Sequence, residues 1–288
     1  MSSTPPSITQ PRAIASAARG VPTSDGAGVR MTRIISSPEI GIIDPFLMLD
    51  EFRSDEPQDY LAGFPDHPHR GFETVTYMLA GRMRHKDNHG HEGVIDAGGV
   101  QWMRAGRGII HSEMPEQEQG LMWGFQLWVN LPANRKMTEP HYQEFDGREI
   151  PKERRGTGCT VRVISGTTSL GTAGSVSDIP TAPVYFDVKL AAGAEFSEAI
   201  DPRANACLYI YEGEAEIRAA SAERLERGML GRLGPGDGVQ LRAGGQGARL
   251  LLLAAQPLNE PIAWHGPFVM NSRAEIMQAF EDYQNGRF

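Results

Sequence analysis

Short apolar runs, bounded by polar stretches rich in glycine and proline, recur along most of the chain. "GFETVTYML", "VQWMRA", "GFQLWVNL", "TVRVISG", "VYFDVKL", "CLYIYEGEAEIRA", "GVQLRA" and "RLLLLAA" are of strand length and rich in β-branched and aromatic residues. This pattern predicts an all-β protein, and the frequent turn signals suit a sandwich or barrel. The C-terminal "NSRAEIMQAFEDYQNGRF" differs. Ser272 followed by Glu275 reads as a capping box, Ile276, Phe280 and Tyr283 recur at helical spacing, and Gly286 supplies a stop. An amphipathic helix closing the β-structure is the expectation over 271–288.

Two segments echo each other. "TVTYMLAGRMRH" leads to "IDAGGVQWMRAG", and "YIYEGEAEIR" leads to "LGPGDGVQLRAGG". Each reads as strand, glycine turn, strand, then a glycine-rich turn into a "GVQ" strand, which implies a duplicated β domain. The polar stretch 145–158 marks the boundary. The expected domains are therefore 29–145 and 146–270. The first 28 residues, rich in Pro, Ser, Thr and Gly, read as a flexible tail without the apolar segment of a signal peptide.

Length and composition fit two moderate domains: 288 residues, of which 40% are hydrophobic. A formal charge of −8 argues against nucleic-acid binding through bulk electrostatics. Cys159 and Cys207 are too few for a disulfide scaffold and read as core thiols in a reducing compartment. No stretch is long enough to span a membrane, "ARLLLLAA" being far too short. A cytoplasmic protein is the expectation.

The chemistry concentrates in the first half. In "HPHRGFETVTY", His67 and His69 would share a face if they lie on a strand, because side chains alternate with period two. His111 and Glu113, in "IIHSEMPE", repeat that spacing. A single His-x-His is usually a solvated polar pair, but two such pairs beside strand-like runs favour a site inside a barrel. Three imidazoles and one carboxylate suit Fe(II), Mn(II), Co(II), Ni(II) or Zn(II). Glu73 falls on the same face by strict alternation and rivals Glu113 for the carboxylate role. "HKDNHGHEG" (His85, Asp87, His89, His91, Glu92) is denser in ligands but reads as an exposed hairpin loop, with at most a minor role at a cavity mouth. Between His141 and His265 there is no histidine, so the second domain cannot build a multi-histidine site. Phe52, Phe64, Trp102, Trp123 and Phe125 are candidates for pocket walls, although such residues more often fill a core. Asp66 and Arg70 flank the ligands and read equally as imidazole-orienting groups or a surface ion pair.

Four stretches, "FPDHPHRGFETVTYMLAGRM", "GGVQWMRAGRGIIHSEMPE", "GFQLWVNLPANRKMTEPHYQE" and "PLNEPIAWHGPFVMNSRAEIMQA", occur in order and resemble the signature stretches of the pirins, within the cupin superfamily. The resemblance runs from about residue 30 to near the C-terminus. It implies two tandem cupin barrels (jelly-roll, double-stranded β-helix), packed face to face, with a C-terminal helix. It places the metal ligands on His67, His69, His111 and Glu113, favours Glu113 over Glu73, and makes Fe(II) the leading ion. It implies either quercetin 2,3-dioxygenase chemistry, in which a flavonol is opened by O2 with release of CO and Glu113 is the base, or an iron-dependent redox-sensing regulator that binds a transcription factor or other protein. A monomer is the expected state.

Overall fold

The computed structural model describes residues 7–219 and 222–288; the first six residues of the expected tail lie outside the described residues. The first half contributes β1 (Ile14–Arg19), β2 (Val21–Asp25), β3 (Val29–Ile35), β4 (Phe46–Ser54), β5 (Phe64–His69), β6 (Phe72–Ala80), β7 (Met83–Asp87), β8 (Glu92–Ile95), β9 (Val100–Arg104), β10 (Ile109–Pro115), β11 (Met122–Asn130) and β12 (His141–Phe145). The second contributes β13 (Lys152–Arg155), β14 (Cys159–Ser165), β15 (Val184–Leu190), β16 (Glu195–Ala199), β17 (Asn205–Arg218), β18 (Ala222–Glu226), β19 (Met229–Leu233), β20 (Gly238–Ala255), β21 (Ala263–His265) and β22 (Phe268–Met270), followed by α1 (Arg273–Gln284).

These elements form two compact units whose boundaries differ from those the composition predicts. The first barrel comprises residues 21–36, 45–148 and 258–288; the second comprises 37–44 and 149–257 together with the N-terminal segment. The low-complexity start is therefore not a free tail over 7–28. β1 pairs antiparallel with β19, and β2 pairs with β3. Arg12 anchors this segment: its guanidinium is buried and donates to the carbonyls of Ala204, Gly234 and Asp201 at 3.0, 3.1 and 2.8 Å. Composition missed this because backbone pairing needs little apolar sequence.

In the second barrel, Phe186, Leu252 and Leu208 lie in one cross-strand row and Val188, Leu250 and Ile210 in the next. Burying each such side chain stabilises the fold by about 1.5–3 kcal/mol relative to exposure. All four leucines of "RLLLLAA" are buried, so both faces of β20 are covered there and polar alternation is lost. Where the echo predicts two strands joined by a glycine turn, β17 is continuous. Gly213, at φ 68° and in a register break, supplies the bend; a Cβ there would sit 2.1 Å from the Gly247 carbonyl oxygen. Cys159 and Cys207 are buried free thiols, and burial pushes them up to about 11 and about 12.

The first barrel holds a seven-stranded sheet in the order β12-β9-β6-β11-β4-β3-β2 and a four-stranded sheet in the order β5-β10-β7-β8. Register aligns Arg33, Asp50, Gln126, Thr76, Gln101 and Glu144 as a single polar row across six strands of the larger sheet. The C-terminal helix belongs to this barrel. Ser272 is its N-cap, with Oγ accepting from the Glu275 N–H at 3.3 Å and donating to the Glu275 carboxylate at 2.8 Å. Ile276 and Ala279 form its buried face, and Gly286 follows its end at φ 65°. Among the described residues, no helix is long and apolar enough to cross a membrane.

Candidate metal centre

β5 and β10 run antiparallel, with His111 opposite His67 and Ile109 opposite His69. This register brings the three imidazoles together. Their ring centroids are 4.4–5.0 Å apart, and one nitrogen from each lies within 4.8 Å of the others. His67 Nδ1 lies 2.8 Å from the Pro65 carbonyl. A carbonyl can only accept, so this nitrogen carries the proton, and in the neutral ring Nε2 keeps a free lone pair. That lone pair faces His69 Nε2 at 3.0 Å. His111 is buried, with neither ring nitrogen hydrogen-bonded. Burial, reinforced by the neighbouring imidazoles, lowers His69 and His111 well below the ordinary histidine value, so both are neutral at physiological pH. Clustered imidazoles with unpartnered buried nitrogens are a set that a divalent ion could satisfy.

Glu113 lies two residues beyond His111 on β10 and is buried. Thr76 Oγ1 donates to one of its carboxylate oxygens at 2.7 Å and Gln126 Nε2 to the other at 2.9 Å. Both donors come from the polar row of the larger sheet. The carboxylate is thus held in one orientation at the cavity wall, with lone pairs left for a metal or a proton.

Glu73 is oriented differently. Counting alternation from 67 to 73 fails because the strand breaks at Arg70–Gly71: Gly71 has φ 91°, and a Cβ there would lie 2.0 Å from the Val269 carbonyl oxygen. On β6 the even positions face the histidines. Phe72 packs edge-on to His69 at 5.0 Å, and Thr76 reaches Glu113. Glu73 points to the other face and pairs with Arg104 at 2.9 Å.

The loop after His69 is pinned from three directions. Arg70 is buried, donates to Asp282 at 2.7 Å and to the Arg107 carbonyl, and lies over the Phe288 ring. It is therefore a buried link from β5 to α1, whereas Asp66 is exposed. Lys136 is also buried, and its three protons go to Gly71 O, Asn130 Oδ1 and Val269 O at 2.7, 2.6 and 2.9 Å. Burial brings its amine down to about 8. Lys136 lies in one of the signature-like stretches, but only the fold brings its three acceptors together.

A cavity of about 650 Å³ opens over His67, His69 and Glu113. Of the five predicted aromatics, Phe52 and Phe64 line it. The Phe52 ring lies over its cross-strand partner Gly124, where a Cβ would come within 2.5 Å. Trp102, Trp123 and Phe125 are buried instead, and both Trp102 and Met103 are enclosed because β9 is covered on both faces. Trp128 and Trp264 are the walls that sequence reasoning missed. On β11 the cavity phase is Gly124, Gln126, Trp128, and polar Gln126 was the available signal for it. Trp128 stands edge-on to His69 at 5.1 Å and stacks on Phe72 at 4.2 Å. The Arg33–Asp50 pair, bidentate at 3.0 and 2.7 Å, completes a polar side of the cavity.

The "HKDNHGHEG" segment is more ordered than expected. His85 is buried on β7 and Asp87 is buried beside it, whereas His89 and Glu92 are exposed. The Asp87 carboxylate accepts from the N–H groups of His89 and His91 at 2.8 and 2.9 Å, which fixes the turn. Among the described residues, the second barrel holds no comparable ligand cluster.

Two barrels in tandem, with a histidine cluster in the first, define a bicupin. The Pirin family description matches residues 28–129 and that of the Pirin C-terminal cupin domain matches 185–288. A pirin-like protein of Caulobacter vibrioides is 58% identical over 270 residues, covering 94% of this chain and 96% of that one. Human Pirin is 45% identical over 268 residues, covering 92% and 89%. A crystal structure of a quercetin 2,3-dioxygenase from Acinetobacter baumannii superposes with a TM-score of 0.87 at 33% identity, covering 96% and 98%. The chain belongs to the pirin family.

Proposed function

We propose that this pirin is a metal-dependent dioxygenase that opens a flavonol of the quercetin type with O2 and releases CO. The observation carrying this reading is the meeting of three imidazoles beside an aromatic-walled cavity that an oriented carboxylate, Glu113, also lines. Its volume, about 650 Å³, is in the range of small-molecule sites. The likeness to a quercetin 2,3-dioxygenase supports the same reading.

His67, His69, His111 and Glu113 would hold the ion, and we assign it as Fe(II), with Mn, Co, Ni or Zn as the alternatives. Once bound, such an ion supplies Lewis acidity toward a deprotonated hydroxyl and, if redox-active, electron exchange with dioxygen. The protein's own contribution is proton handling and placement. Glu113 takes the proton of the flavonol 3-hydroxyl. Thr76 and Gln126 keep its oxygens aimed at the cavity. Phe52, Phe64 and Trp128 enclose the planar rings and exclude water, and Arg33 with Asp50 faces the polar rim of the substrate.

Oxygen uptake on adding quercetin to iron-loaded protein tests the proposal. Uptake is expected with the parent protein and not with His69→Ala. No uptake by protein that demonstrably holds iron would sink quercetin as the substrate and move the weight to the redox-sensing, partner-binding regulator.

A further inference from the structure

A second group of ligand-type side chains lies in the first barrel, outside the site just described. One donor atom from each of His85, His91 and Glu144 falls within 4.8 Å of the others. The three come from β7, from the turn that follows it, and from β12. Glu144 ends the polar row that begins at Arg33, and His85 is the cross-strand partner of Glu113. The two clusters therefore stand on the same sheet framework but share no residue.

Several features show that the group is built and not a chance meeting. His85 sits opposite Gly93, where a Cβ would come within 2.6 Å of His85 Nε2 and 3.1 Å of the Glu144 carboxylate. Any residue larger than glycine would close the space between the ligands. Asp87 fastens the turn that presents His91. Tyr142 stacks on His91 at 4.3 Å and on His85 at 5.9 Å, so both rings are held. Gln101 donates to Glu144 Oε1 at 2.7 Å and orients the carboxylate.

The inner ring is left poorly satisfied. His85 is 1% exposed, and neither of its nitrogens makes an aligned hydrogen bond, although Nε2 lies 2.7 Å from Glu144 Oε1. His91 Nε2 hydrogen-bonds to the same oxygen at 3.0 Å. For His85, proximity without alignment is a poor hydrogen bond but is easily converted to ligation. Zinc–nitrogen and zinc–oxygen bonds of about 2.0–2.2 Å in a tetrahedral site need ligand atoms about 3.3 Å apart, so each contact would have to widen by only a few tenths of an ångström. His91 and Glu144 are partly exposed, at 41% and 32%, which gives an ion a way in and leaves room for water as further ligand.

We propose that His85, His91 and Glu144 form a second, exchangeable site for a divalent transition ion of the zinc, cobalt or nickel class. Two imidazoles and one carboxylate suit these borderline ions better than Mg(II) or Ca(II), which prefer all-oxygen sets. A glutamate carboxylate is ionised at neutral pH, which is the form that ligates a metal.

The test is a Co(II) titration of untagged, metal-free full-length protein, followed by equilibrium binding and by visible absorption. The parent protein is expected to take up two equivalents. His91→Ala, at a partly exposed position, should take up one and lose one set of absorption bands, and Glu144→Gln should do the same. His69→Ala should lose the other equivalent and keep the bands that His91→Ala removes. If His69→Ala fails to fold, the step from two equivalents to one between parent and His91→Ala still decides. A single equivalent in the parent, abolished by His91→Ala, would support this site and count against the three-histidine centre. Uptake identical in parent, His91→Ala and Glu144→Gln would overturn the inference and leave the group as a hydrogen-bonded cluster.

Discussion

His67 Nε2 and His69 Nε2 face each other at 3.0 Å across the mouth of the first barrel, and His67 is oriented by the Pro65 carbonyl at 2.8 Å behind it. With the His67 proton on Nδ1, His69 Nε2–H donates to the His67 Nε2 lone pair. An ion bound here would replace that single hydrogen bond with a bond to each ring and would also engage His111, neither of whose nitrogens is hydrogen-bonded. Metal binding would then be coupled to folding.

That coupling gives the first expectation. Saturating Fe(II) or Ni(II) should raise the melting temperature of metal-free protein, since a ligand at one hundred times its Kd stabilises the native state by about 2.7 kcal/mol. In His69→Ala and His111→Ala the rise from this site should vanish. Differential scanning calorimetry with and without metal makes the comparison, and an undiminished shift in both variants would rule out the three-histidine centre.

Glu113 and Glu73 should separate cleanly by substitution. Glu113→Gln keeps the shape and the neighbours Thr76 and Gln126 but loses the base. Turnover should fall about 10²–10⁴-fold while most of the bound metal is retained. Glu73→Gln removes the carboxylate charge that Arg104, at 12% side-chain exposure, pairs with. The cost should appear in stability, about 3–5 kcal/mol, and not in turnover of the folded fraction. Steady-state kinetics paired with urea denaturation distinguishes the two; a Glu73→Gln protein of parental stability and lost activity would reverse the assignments.

The Arg70–Asp282 link predicts an acid dependence. Burial pushes the Asp282 carboxyl up, but hydrogen bonds from Arg70, Gln278 and Arg287 outweigh it and hold the group at about 2 against an ordinary 3.8. The unfolded chain therefore takes up this proton first as pH falls. The stabilisation is complete above the ordinary value and is lost as pH falls through about 2. The melting temperatures of parent and Asp282→Asn should differ at neutral pH and converge over that window. A difference that stays constant into acid would show that Asp282 acts by packing alone.

The parts of this fold legible in the sequence were those carried by local pattern. Strand-length apolar runs, the Ser272–Glu275 cap and the two candidate pairs spaced by one residue are local signals; His67, His69 and His111 meet within 4.8 Å, while Glu113, the fourth member expected, stands outside that group. The rest depended on where strands break and pair. Alternation carried Glu73 toward the histidines only because the break at Gly71 is invisible without the fold. The His85 segment, polar and glycine-rich, read as an open loop, yet β7 lies between β8 and β10 and buries His85. The opening residues looked too simple to pack, but β1 needed only an edge of β19. Trp128 and Lys136 lie in a stretch that resembles a pirin signature, but their type and spacing mark no role, and their partners are supplied by the fold.

The central claim is dioxygenase chemistry at the three-histidine centre, and the most direct measurement is the product balance with quercetin and isotopically labelled O2. Iron-loaded protein should release one CO per quercetin consumed, with both labelled oxygen atoms in the ring-opened product. Both activities should be absent in His69→Ala. Quercetin oxidation without CO, or with label appearing in hydrogen peroxide or water, would contradict the account.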